Sequence, residues 1–151
     1  MRKFLITLFA ALPAMLIAQE LPSDEEFMKR VMNNVSHEYT VCAAYFMFVS
    51  NALAVSGKDE GGQRYDELSD LALMYAMQSA SVGRSDDMAQ KVVTARLETE
   101  VTSMAKEIDN DNANISILNV KHLERCKWAM EDVEAVMSHW TTKELQRLQE
   151  E

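Results

Sequence analysis

The sequence predicts an all-α protein, an up-down-up-down four-helix bundle with long first and fourth helices, preceded by a signal peptide. Two observations lead to this prediction. The 151 residues include only four glycines and two prolines, which are too few for the frequent turns of a β-sandwich or β-barrel. Apolar residues also recur at alternating steps of three and four along four segments, which is the period of an α-helix.

Residues 1–18 are predicted to form a secretory signal peptide. Two basic residues precede an apolar run from Phe4 to Ile17, and the small Ala18 is followed by polar residues. This order is typical of a signal peptide that is cleaved after Ala18. An uncleaved anchor is the alternative, but the run is shorter than the roughly 20 residues that span a bilayer. We expect an exported protein, periplasmic or extracellular, with residues 19–151 as a single helical domain.

The first helix is predicted from Ser23 to Ser56. Ser23 and Glu26 are spaced as a capping box at its start, and Gly57 with the later pair Gly61-Gly62 is expected to form the loop that follows. Its apolar stripe has helical spacing throughout and comprises Phe27, Val31, Val35, Tyr39, Cys42, Phe46, Val49 and Leu53.

Three further helices follow. The second is predicted from about Gln63 to Gly83, and the third from Asp86 to Ile108, capped by Ser85 or Asp86. Residues 109–114 are polar and are expected to form a solvated turn. The fourth helix is predicted from Asn114 to about Leu148, and the short connections favour antiparallel neighbours.

Cys42 and Cys126 are predicted to form a disulfide bond. They are the only cysteines, and an exported chain enters an oxidising compartment. Counted from the end that helices one and four share, the two residues differ in height by about 3 Å along the bundle axis. Both also lie on the apolar stripe of their helix, so we expect the bond to join these two helices.

The outer helices are predicted to be about a dozen residues longer than the inner pair. The overhang would expose an apolar surface for a protein partner or a second copy of the chain. The alternative is that helix one breaks at Asn33-Asn34, or helix four at Thr141-Thr142, and the pieces fold back on the core. The candidate partner-binding residues are Phe27, Met28, Val31, Met32, Met137 and Trp140.

The charge of the chain bears on its partners. The formal net charge is −9, and it becomes −11 when Arg2 and Lys3 are removed with the signal peptide. Such a surface repels phosphate backbones, so nucleic acid is not expected as a partner, nor is a membrane once the signal peptide is cleaved. Basic proteins and cations are the favoured partners on this argument.

No catalytic, metal or cofactor motif occurs in the sequence. The Glu-x-x-His pattern of di-iron bundles and the C-x-x-C-H pattern of covalent haem are both missing. We therefore expect a non-enzymatic binding protein with no cofactor and no metal site. Two alternatives stay open, namely a metal or haem carrier of the helical-bundle type, and an enzyme whose site assembles from residues such as His37, Glu38 and His139.

Overall fold

A computed structural model describes residues 23–150. The predicted signal peptide and its cleavage site lie outside these residues. The described part confirms the all-α prediction, because its regular elements are five α-helices and one 3-10 turn. They are α1 (Asp24–Val55), α2 (Asp59–Ala80), α3 (Asp86–Glu107), a 3-10 turn (Asn112–Asn114), α4 (Ile115–Glu131) and α5 (Val133–Glu150).

The first helix, α1, is the centre of the fold because it packs against each of the other four α-helices. It begins as the capping box predicts, with the Ser23 hydroxyl accepting a hydrogen bond from the Glu26 backbone N–H at 3.2 Å. Six residues of the predicted apolar stripe lie in the core, and Ala43 and Ala44 beside them are fully buried. Phe27 and Leu53, at the two ends of the stripe, are partly buried against the core. Burial on several faces explains why α1 carries so many apolar and small residues.

Among the described residues, α1 is the one helix that is long and apolar enough to cross a membrane. Its mean hydropathy reaches 1.2 over 18 residues, and 61% of that window is buried inside the protein. A core helix surrounded by neighbours has this same composition. Its packing against four helices therefore accounts for its apolar character.

The α1 and α2 helices run antiparallel and approach each other closely. The Ser69 hydroxyl donates to the Ala43 carbonyl oxygen at 3.1 Å, and a Cβ at Gly62 would lie 3.2 Å from the Ser50 carbonyl oxygen. Small side chains at the contact allow this approach, because larger ones would hold the two helix backbones farther apart. The buried small residues of α2 are Gly62, Ser69, Ala72, Ala76, Ser79 and Ala80.

The prediction that Gly61 and Gly62 lie in a loop is wrong. The α2 helix begins at Asp59, so both glycines lie near its start. The two glycines do not mark a chain reversal. Gly62 instead lies where α2 makes its close contact with α1. Gly57 alone ends α1, at a φ of 72° that favours glycine.

Asp132 divides the predicted fourth helix into two, so the count of four helices is wrong. Its backbone leaves the helical region, at φ −142° and ψ 86°, and its carboxylate accepts a hydrogen bond from the Ala135 N–H at 2.8 Å. This side-chain cap starts α5 within one residue of the end of α4. The alternative breaks do not occur, because Asn33-Asn34 and Thr141-Thr142 both lie within continuous helix.

The predicted overhang at the start of α1 is largely covered. The fifth helix continues alongside the first half of α1, where the guanidinium of Arg30 lies 3.7 Å from the Glu144 carboxylate. The α2–α3 loop reaches the same region, because Arg84 donates to the Asn33 side chain at 2.9 Å. The sequence-based lengths placed both inner helices short of this end, and the α2–α3 loop was not predicted to reach it.

Candidate binding cleft

Cys42 and Cys126 lie at disulfide distance, as predicted. Their Cα atoms are 5.3 Å apart across α1 and α4, and both residues are fully buried. Neighbouring contacts follow the same antiparallel register, because the Tyr39 hydroxyl donates to the Ala129 carbonyl oxygen at 3.2 Å. The bond therefore lies inside the core and fixes the register of the two helices.

The six predicted partner-binding residues lie where α1 meets α5, but most of them face inward. Val31 is fully buried, so it is unavailable to a partner in this conformation. Phe27, Met137 and Trp140 are partly buried against the core, and Met32 is also half-buried. The cause is the break at Asp132, after which α5 packs along α1. Met28, which is 40% exposed, remains accessible. Partner binding by this set stays a prediction.

A polar cleft lies beside these apolar residues, between α1, the α2–α3 loop and α5. Its volume is about 440 Å³, within the range of small-molecule sites, roughly 300–1,000 Å³. A neighbouring hollow of about 430 Å³, between α1 and α3, shares Asn33 and Asn34 with it. We name the two together the arginine cleft, because the lining includes four of the six arginines in residues 23–150, Arg30, Arg84, Arg96 and Arg147.

Asn33 lies at the point where two of these arginines meet. Its side-chain oxygen accepts a hydrogen bond from Arg84 at 2.9 Å and another from Arg96 at 2.8 Å. Arg96 also donates to the Asn33 carbonyl oxygen at 3.2 Å. Burial, and then the charge of Arg84, lower the pKa of Arg96. One neutral amide thus holds two guanidinium groups that repel each other.

The other cations of the cleft have carboxylate partners. Lys29 lies 2.6 Å from Glu25, and Arg30 lies 2.7 Å from Glu26. Arg147 donates to the buried Glu144 at 2.8 Å. That hydrogen bond, with the charges of Arg147 and Arg30, lowers the pKa of Glu144. These pairs form one wall of the cleft, and their charges largely cancel.

Gly83 shapes the α2–α3 side of the cleft. Its φ of 71° favours glycine, and a Cβ at this position would overlap the side chain of Lys29. The chain of Lys29 therefore lies directly across the backbone of Gly83. This contact fixes the loop that carries Arg84 against α1.

The three residues of the scattered-site alternative have different partners. His37 Nε2 lies 4.0 Å from Glu100 of α3, whereas the buried Glu38 forms a two-bond ion pair with Arg125 of α4. His139 makes edge contacts with the rings of Trp128 and Trp140. Each side chain thus contributes to a different contact between helices.

A search of residues 23–150 found no group of three or more His, Cys, Asp and Glu side chains arranged to hold a metal ion.

The arginine cleft was not predicted from the sequence. Successive arginines of the cleft are 12 to 54 positions apart in the sequence and belong to three helices and a loop, so they form no local motif. The one available signal was the polar pair Asn33-Asn34 within the first half of an otherwise apolar helix.

Comparisons of this chain with protein-family models, with curated proteins and with solved structures found no match.

Proposed function

We propose that this chain is an exported, non-enzymatic binding protein that takes a negatively charged group at the arginine cleft. The observation that supports it is the gathering of Arg30, Arg84, Arg96 and Arg147 around two neighbouring hollows that share Asn33 and Asn34, in a chain whose net charge is −9. A local positive potential concentrates anions even on an acidic protein. The preference for basic partners that the sequence predicts concerns the charge of the whole surface, whereas this proposal concerns the charge of the cleft alone.

The proposal is tested by titrating the purified protein with small anions and cations while recording its backbone NMR spectrum. We expect at least one anion to shift amides of the cleft in a saturable way that weakens with salt, and spermine to leave them unchanged. Arg64→Gln is the matched control, because Arg64 is an exposed arginine of α2 outside the cleft. The proposal fails if no anion shifts the cleft amides, or if Arg64→Gln abolishes the shifts.

Export is supported by two features. The apolar segment from Phe4 to Ile17 has the layout of a signal peptide, and the Cys42–Cys126 pair has disulfide geometry, which is typical of oxidising compartments. Mass spectrometry of protein recovered from its producing cells should show a chain that begins at Gln19, in the envelope or secreted fraction. Full-length protein in the cytosolic fraction would contradict export.

A contact with a protein partner or a second copy is the other candidate, because apolar surface remains at the end where α1 meets α5. Met28 is 40% exposed and Leu145 is 49% exposed. If this surface mediates self-association, sedimentation should show a dimer that Met28→Ser with Leu145→Ser disrupts. Met74→Ser is the control, since Met74 is 45% exposed on α2. A monomer at high concentration would remove self-association.

A further inference from the structure

We propose that Arg84 and Arg96 together bind a doubly charged oxyanion of the phosphate type, carried by a small molecule. This inference rests on the proposed function, for which it names the ligand class. It concerns the part of the arginine cleft where Asn33 joins α1 to both arginines.

Charge pairing separates these two arginines from the rest of the cleft. Lys29, Arg30 and Arg147 each have a carboxylate within hydrogen-bond distance. Within the described part of the chain, neither Arg84 nor Arg96 has a carboxylate within 4.0 Å in the structure.

On α3, the carboxylate that could neutralise the charge of Arg96 from one turn further along the helix belongs to Glu100. Its carboxylate approaches His37 instead, at 4.0 Å. Two guanidinium charges therefore stay without an ion-pair partner in a partly buried place. A dianion matches this charge, whereas a single carboxylate would neutralise only half of it.

The donors of these arginines are also incompletely used. A guanidinium carries five N–H groups. Arg84 makes two hydrogen bonds, to the Ala80 carbonyl oxygen and to Asn33. Arg96 makes three, two to Asn33 and one to the Ser36 hydroxyl. The remaining N–H groups have no hydrogen-bond partner among the described residues, and we assign them to a ligand with several acceptor oxygens.

The position of Asn33 favours one compact group over two separated charges. Both guanidinium groups contact the same amide oxygen, at 2.9 and 2.8 Å, so a single tetrahedral oxyanion can reach both. The charges of a dicarboxylate lie farther apart. The hollow that Arg84 lines has a volume of about 440 Å³, and the neighbouring hollow that Arg96 lines has a volume of about 430 Å³. Each volume exceeds that of one oxyanion, which leaves room for the organic part of a phosphate monoester.

The experiment is calorimetric titration at low salt with three probes, inorganic phosphate, glycerol 3-phosphate and succinate. We expect saturable binding of a phosphate probe and much weaker binding of succinate. Arg84→Gln and Arg96→Gln should each raise the Kd about tenfold or more, while Arg64→Gln should leave it unchanged. Tighter binding of glycerol 3-phosphate than of phosphate would identify a monoester as the ligand, and equal binding would identify the free ion.

NMR of the unmodified protein makes the test independent of variant folding. Phosphate should shift the side-chain amide of Asn33 and the Nε–H signals of Arg84 and Arg96. If succinate or another carboxylate shifts the cleft while phosphate does not, the inference fails and the proposed function stands. If no anion binds, both fail. Phosphate binding that survives both arginine substitutions would also overturn the inference.

Discussion

Asn33 sets the charge of the arginine cleft through a single side chain. An aspartate has nearly the same shape and would give Arg84 and Arg96 charge-assisted hydrogen bonds, which are about twice as strong as neutral ones. The amide instead leaves two positive charges uncancelled at a junction of three segments. The net charge of the chain cannot reveal this local positive charge, because the net charge sums the two arginines with the many acidic residues of the surface.

Gly57 and Gly83 have similar φ angles, but we expect their substitution by alanine to lower the free energy of unfolding by different amounts. Gly57→Ala meets open space at φ 72°, so only backbone strain opposes it, about 1 kcal/mol. Gly83→Ala adds an overlap with Lys29, so its loss should be larger, about 2 kcal/mol. Urea unfolding of both variants measures the two losses. An equal loss would show that Lys29 does not lie across Gly83.

Burial of His122 predicts a loss of stability in mild acid. The residue is 8% exposed, and its Nε2 has no hydrogen-bond partner among the described residues. Burial, and then the charge of Lys121, lower the pKa of His122 below 6.5. The unfolded chain therefore takes up a proton that the folded chain resists, and the free energy of unfolding decreases as pH falls below 6.5.

The size of this effect is bounded. Between pH 6.5 and one unit lower, a single histidine removes at most about 1.4 kcal/mol. Urea unfolding on both sides of this range should show the loss in the unmodified protein and a smaller loss in His122→Phe, which keeps a ring in contact with Tyr45. An identical pH dependence in the two proteins would contradict the assignment to His122.

At the scale of elements, the helices and the α1–α4 register were predictable, and the break at Asp132 was not. Periodicity fixes which face is buried, and a rise of about 1.5 Å per residue fixes the heights of Cys42 and Cys126. The sequence around Asp132 contains no glycine or proline, the residues that usually mark the end of a helix. The packing of α5 along α1 after this break depends on tertiary contacts that the local sequence does not show.

Asp132 predicts a graded effect of two substitutions on α5. Asp132→Ala removes the acceptor for the Ala135 N–H and should cost about 1 kcal/mol. Asp132→Asn keeps an oxygen acceptor and should cost much less. Hydrogen exchange should be faster throughout Val133–Glu150 in the alanine variant only. Equal exchange in the two variants would show that the cap does not hold α5.

Across the whole molecule, α1 connects the core to the cleft. Its middle carries the disulfide to α4, and its first half carries Asn33 and the cation pairs, so the same helix contributes to the core and to the lining of the cleft. The disulfide was predictable because two cysteines allow one intramolecular pairing. The cleft was not, because it needs the α2–α3 loop and α5 to meet at α1.

The disulfide predicts the largest single effect on stability. It closes a loop of 84 residues, for which chain entropy alone gives about 4.5 kcal/mol. Paired Cys42→Ala and Cys126→Ala substitutions should therefore remove a large part of the 5–15 kcal/mol that is ordinary for a domain, on the order of a third or more. Urea unfolding measures it, with oxidised protein as reference. A loss below about 1 kcal/mol would show that the bond does not constrain the unfolded chain.

Asn33→Asp provides the most direct test of the central claim, that the cleft gives up stability to keep positive charge for an anion. The account predicts that this variant has a higher melting temperature than the unmodified protein and binds phosphate at least about tenfold more weakly. Calorimetry of the two proteins, by heating and by titration, measures both quantities. A variant that binds phosphate as tightly as the unmodified protein, or that melts at no higher a temperature, would contradict the claim.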